Sequence, residues 1–133
     1  MAKNFSEYNL QEKIGVGAFA TVYKAYSQLQ EPTYGKVVAI KILNEKVHGA
    51  SENKVIKQFE REANIAMQLN HENVVKVFNW GRFNGRYAMI MEYVDGKNLN
   101  EFLHEPGKYK FETLIEIGYK IALGLIHIHA HGI

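Results

Sequence analysis

The chain has 133 residues, 47% hydrophobic and 23% charged, a balance that suits one globular domain with a real core and argues against a disordered segment. Its net charge of +2 comes without a cluster of Lys and Arg, so no nucleic-acid face is predicted, and the lack of cysteine excludes a disulfide framework or a thiolate metal site. Met1–Phe5 has no apolar core of leader type, and no run approaches the roughly 18–20 apolar residues of a membrane span; the expectation is a cytoplasmic protein without membrane contact in this segment.

Tyr8–Gly15 alternates loosely and predicts a strand entering a glycine-rich turn. Thr21–Tyr26, β-branched and aromatic, predicts a second strand, and Pro32 and Gly35 mark the next turn. Lys36–Leu43 predicts a third, largely buried strand, which makes an antiparallel meander. After Gly49, Ser51 is a candidate N-cap for a helix running to about Leu69, in which Ile56, Phe59, Ala63, Ala66 and Met67 recur at spacings of three and four. Val74–Trp80 and Arg86–Tyr93 predict two further strands, with Asn84-Gly85 as the hairpin turn between them. Tyr23, Tyr26, Tyr87 and Tyr93 read as core or sheet-face residues. Beyond Asp95-Gly96 the pattern is helical, with a short helix over Asn98–His104 and a longer one over Phe111–His131. The longer helix is apolar around much of its surface and calls for neighbours on more than one side.

Chemistry concentrates in the first half. Ile14-Gly15-Val16-Gly17-Ala18-Phe19-Ala20-Thr21-Val22 sits between two predicted strands. Gly15 and Gly17 let the backbone approach a polyphosphate and aim N–H groups at its oxygens. Ala20 stands where a third glycine would, and is small enough to keep that approach. Alone, such a turn is more often a plain hairpin. A dinucleotide site requires strand, turn and then helix, whereas Thr21-Val22-Tyr23 continues as strand. Lys41, inside the apolar strand Val38-Ala39-Ile40-Lys41, is costly to bury unless an anion meets it. Glu62, on the inward stripe with Phe59 and Ala66, is the expected partner, and Glu60 beside it reads as a solvated carboxylate. His127 and His131 lie four apart on a helix, but with no Cys and no nearby acidic third ligand no metal site is predicted.

In combination, Gly-x-Gly-x-x-Ala-x-Val, then Val-Ala-Ile-Lys about twenty residues on, then a helical Glu, resembles the protein kinase family. Leu69-Asn70-His71-Glu72-Asn73-Val74-Val75, Ile90-Met91-Glu92-Tyr93-Val94-Asp95-Gly96 and the segment from Gly124 to Ile133 are similar, in order and spacing, to three further family segments. These are the link out of helix αC, the hinge, and the end of helix αE. The resemblance implies an α+β, kinase-like N-lobe over about 8–91, with a five-stranded antiparallel sheet plus helix αC. A hinge over 92–98 and the first C-lobe helices, αD and αE, over 99–133 would follow, leaving the C-lobe truncated.

The resemblance also implies an ATP site. Ile14 and Val22 would cap the adenine, with Ala39 beside Val22. Gly15, Val16, Gly17, Ala18, Phe19 and Ala20 would cover the phosphates, which Lys41 and Glu62 would position as an ion pair. Met91 matches the gatekeeper, backbone groups of Glu92 and Val94 would meet the adenine edge, and Asn98 falls near the ribose position. Ala66 and Val77 match positions of the hydrophobic spine. The implied reaction is transfer of the ATP γ-phosphate to protein hydroxyls, with the Ser/Thr type favoured.

In the family the base is the Asp of a His-Arg-Asp loop, and magnesium is held by a following Asn and by Asp-Phe-Gly. The only aspartate here is Asp95, at the hinge. This chain alone is therefore expected to be inactive, with magnesium and the protein substrate belonging to a complete domain. The alternative is a non-catalytic nucleotide-binding or protein-interaction module, and a small-molecule kinase is the weakest reading.

Overall fold

The computed structural model describes residues 3–44, 52–107 and 109–133. Nine elements follow in chain order: β1 Lys3–Asn4, β2 Tyr8–Val16, β3 Ala20–Ser27, β4 Val37–Leu43, α1 Glu52–Ala66, β5 Val77–Phe83, β6 Arg86–Glu92, α2 Leu99–Leu103 and α3 Phe111–Ala130. The candidate cap Ser51 and the turn residue Gly49 lie outside the described residues. The six strands form one sheet in the order β1-β5-β6-β4-β3-β2. Its five long strands pair antiparallel with one another, as predicted. The addition is β1, a two-residue strand that pairs parallel to β5, with Lys3 opposite Gly81.

Such a short strand has no periodicity to read, and its docking depends on a missing side chain elsewhere. A Cβ on Gly81 would lie 2.8 Å from the Lys3 carbonyl carbon and closer still to its oxygen, so only glycine lets the two backbones meet. The Phe5 N–H then donates to the Arg82 carbonyl at 2.9 Å.

Alternation along β4 separates two cores. Val38, Ile40 and Ile42 face away from α1 and pack with Ala25, Ala88, Ile90 and Phe83 beneath Phe5 and Tyr8. Leu43 turns to the other face, where Ala20, Val77 and Met89 meet Phe59 and Ala63 of α1. Tyr23 supports the first core and Tyr87 the second, while Tyr26 is largely exposed.

Element ends differ from expectation where local hydrogen bonds win. The helix α1 stops at Ala66, and the next residues tighten: Gln68 and Leu69 donate three residues back, to Ile65 and Ala66. β5 begins at Val77, not Val74, because Val74 N–H bonds His71 in a turn and Lys76 N–H is taken by the Glu92 carboxylate. The Asn84-Gly85 hairpin turn forms as predicted, with positive φ at both residues. The helix α3 meets the loop between α1 and β5 at Gly124, its one buried residue among those described, whose absent Cβ would fall 2.9 Å from the Asn73 carbonyl oxygen. Phe111, Ile115, Tyr119 and Ile126 of the same helix are exposed. Among the described residues no helix is long and apolar enough to cross a membrane.

Candidate functional site

β2 and β3 converge on a tight turn. Gly15 is opposite Val22 and Val16 opposite Thr21, and the Gly17 N–H donates to the Ala20 carbonyl at 2.9 Å. A Cβ on Gly17 would sit 3.2 Å from that same carbonyl oxygen, a tight contact that glycine avoids. A Cβ on Gly15 would make only ordinary contact with Val22, at 3.6 Å. The turn residues Val16 and Phe19 project into solvent, whereas Ala20 is buried against the second core.

A further residue that the motifs do not include holds this turn. Asn44, just after β4, donates from Nδ2 to the Gly17 and Ala18 carbonyls at 3.1 and 3.3 Å. Its Oδ1 accepts from the Thr21 hydroxyl at 2.8 Å, and its backbone N–H donates to the Phe19 carbonyl at 2.8 Å.

Lys41 lies in the middle of β4, flanked by Val22 on β3 and Met89 on β6. The strand register turns it toward the face that carries α1. It is half-buried there and lines a cavity of about 270 Å³ with Gly17, Ala18, Phe19, Ala20, Leu43, Val55, Gln58, Phe59 and Glu62. The structure thus brings together the glycine-rich turn, Lys41 and Glu62. It does not join the last two in the expected ion pair: among the described residues, no salt bridge or hydrogen bond engages the Lys41 ammonium. The Glu62 carboxylate instead accepts from Gln58 Nε2 at 3.0 Å, one turn back on α1. Glu62 is also exposed at the cavity rim, not on the buried stripe, which runs through Phe59 and Ala63. Glu60, expected to be solvated, is half-buried.

The remaining predicted site residues lie outside this cavity. Ala39 is buried opposite Met91, itself half-buried, and Ile14 is exposed at the end of β2. β6 ends at Glu92, whose N–H donates to the Lys76 carbonyl at 2.9 Å, and Val94 beyond it is exposed. Asn98, expected at the ribose, is the N-cap of α2: its side chain accepts from the Glu101 N–H at 2.8 Å, and its own N–H donates to the Glu101 carboxylate at 3.1 Å. Val77, expected in the hydrophobic spine, is buried, and Ala66, expected there too, packs against the same core.

His127 and His131 do share a face, with ring centroids 4.5 Å apart, and His71 joins them from the loop at 5.1 Å from His127. The loop histidine could not be paired with them from spacing alone, since it lies outside their helix. The Asn70 N–H donates to His127 Nε2 at 3.3 Å, and the Asn73 N–H donates to His71 Nδ1 at 3.0 Å. Desolvation, followed by the nearby His131 and His71, lowers the pKa of His127. No group of three or more His, Cys, Asp or Glu residues among the described residues could hold a metal ion.

Known proteins are similar to this chain over nearly its whole length. The protein kinase domain matches residues 8–133. A probable serine/threonine-protein kinase of Clostridium acetobutylicum is 33% identical over 128 residues, covering 96% of this chain and 19% of its own length. Serine/threonine-protein kinase PrkC of Bacillus subtilis is 32% identical over 126 residues, covering 95% of this chain and 18% of its own. The crystal structure of Rad53 1-466 in complex with AMP-PNP superposes with a TM-score of 0.75 at 30% identity, over 97% of this chain and 32% of that one. The chain thus spans about a fifth of the length of these two curated relatives. With the glycine turn, the strand lysine and the α1-covered sheet in the family's order, and the family match running over nearly its whole length, this chain belongs to the protein kinase domain family.

Proposed function

We propose that this chain is the ATP-binding part of a Ser/Thr-type protein kinase, the enzyme class that moves the γ-phosphate of ATP to a protein hydroxyl. The observation that carries the reading is Lys41: a half-buried ammonium facing a cavity, without an ion-pair partner among the described residues. A cation held among Val22, Leu43 and Met89 is costly unless an anion completes it. A phosphate chain under the glycine turn is such an anion, and the turn's N–H groups supply further donors. The cavity, at about 270 Å³, falls below the roughly 300–1,000 Å³ of a drug-sized ligand pocket and suits part of a nucleotide. The adenine would extend toward Val22, Ala39 and Met91, which the register places along the same face. Since the Glu92 N–H is committed to Lys76, its contribution at the adenine edge would be its carbonyl, with Val94 supplying the N–H. The AMP-PNP bound by Rad53 supports a nucleotide here.

On this reading 8–91 is the N-lobe, 92–98 the hinge and 99–133 the start of the C-lobe. Glu62 becomes the lysine's partner when it leaves Gln58. Within residues 1–133 the single aspartate, Asp95, is exposed in the hinge and cannot take a hydroxyl proton beside Lys41. The described residues also lack a group of three or more His, Cys, Asp or Glu that could hold magnesium. These 133 residues by themselves are therefore proposed to bind ATP without transferring its phosphate. Calorimetry with ATP on this chain and on Lys41→Ala tests the reading. Binding that Lys41→Ala weakens at least tenfold supports it, and no binding, or equal binding by both, refutes it.

A further inference from the structure

Within the glycine turn one backbone bond, Gly17 N–H to the Ala20 carbonyl, closes the return, and the side chains add none. Gly17 and Ala18 have no functional side chain, and Phe19 projects outward. Its order comes from Asn44, whose amide is used at both ends: the nitrogen donates to two consecutive turn carbonyls while the oxygen accepts from Thr21. The Asn44 N–H adds a bond to Phe19. Asn44 is itself anchored, because the preceding Leu43 carbonyl accepts from the Arg86 guanidinium of β6.

A trans peptide is planar, with its C=O and N–H pointing in opposite directions. Fixing the Gly17 and Ala18 carbonyls therefore fixes the direction of the Ala18 and Phe19 N–H groups, the donors a phosphate would use. We propose that Asn44 is a positioning residue for the phosphate-binding turn, which it holds in the conformation that receives the nucleotide; this rests on the nucleotide reading above. Only an amide of this length matches the pattern, since aspartate keeps the acceptor and replaces the two donors with a second oxygen.

Asn44→Asp and Thr21→Val separate this role from general stability. The first removes both side-chain bonds to the turn and leaves the backbone bond to Phe19, and the second removes only the hydroxyl that orients the amide. Amide hydrogen exchange without nucleotide should show the Gly17 and Asn44 N–H groups exchanging faster in Asn44→Asp, with Thr21→Val intermediate. Affinity for ATP should fall roughly tenfold in Asn44→Asp, about 1.4 kcal/mol, while affinity for adenosine, which has no phosphate, stays within about twofold. Unchanged exchange overturns the clamp, and an equal loss for ATP and adenosine overturns the positioning role. A wild-type chain that binds no ATP refutes the nucleotide reading and the positioning role with it, while the exchange data still decide whether Asn44 holds the turn.

Discussion

Replacing Gly81 with Ala tests how the far face of the sheet is closed. The new Cβ would meet the Lys3 backbone, 2.8 Å from the carbonyl carbon, and backbone cannot rotate away as a side chain can. The cheapest response is for β1 to lift off β5, which breaks the Phe5 N–H bond to Arg82 and uncovers Phe5, now 1% exposed. Exposing a phenylalanine costs about 1.5–3 kcal/mol, and the lost hydrogen bond about 1 kcal/mol more. The expected destabilisation is thus about 2–4 kcal/mol, or roughly 6–12 °C in Tm for a chain of this size. Thermal and urea unfolding, followed by circular dichroism, would measure it. The control is the same substitution in a chain shortened to begin at Ser6, where no β1 remains to collide. There Gly81→Ala should cost less than about 0.5 kcal/mol. An equal cost in both backgrounds would refute the reasoning, since the glycine would then serve β5 itself.

Two further predictions concern buried or clustered titrating groups. His127 accepts the Asn70 N–H through Nε2, and desolvation and its histidine neighbours hold its pKa below the usual value. The unfolded chain then takes up the proton first, so the contribution of this junction is complete above about pH 6.5 and falls as the pH drops below it, levelling off beneath the folded pKa. An NMR titration should place the His127 midpoint below that of a free histidine, with the Asn70 amide shifting in step; a midpoint at or above the free value would refute this, and His127→Phe should abolish the amide shift. Tyr8, buried at 2% exposure, donates to the Gly35 carbonyl at 3.1 Å and accepts from the Tyr34 N–H at 3.3 Å, so Tyr8→Phe should cost about 1–3 kcal/mol in urea unfolding at neutral pH. Burial pushes its pKa up to about 12, so the native state keeps a proton that the unfolded chain releases from about pH 10. Wild-type stability should therefore drop between pH 10 and 12, and the variant should lose that part of the drop.

What could be read from the chain itself was local. Strand alternation, the Asn84-Gly85 pair and the three- and four-residue spacing of α1 each reflect the preferences of adjacent residues, and they placed the five long strands and the helices close to where they stand. The ordered motifs around Gly17 and Lys41 likewise identified the family, because each is a short run whose chemistry lies in neighbouring residues. Boundaries moved where a residue found a closer hydrogen-bond partner than its ladder offered, as Val74 and Lys76 did.

Tertiary structure decided the contacts between residues far apart in the chain. Asn44 reaches a turn 27 positions earlier, His71 meets a helix that begins forty residues later, and β1 lies on β5 through a missing Cβ. It also decided what each side chain does when several partners compete. Glu62 bonds Gln58 instead of Lys41, and Asn98 caps α2. The physical reason is common to all of these: residue type sets which bonds a group can make, whereas register and helix rotation set which partner lies within about 3 Å. The lysine was legible as a buried charge in need of an anion. That it stands at a cavity with its expected carboxylate turned aside, beneath a turn held by an asparagine, follows only from the fold.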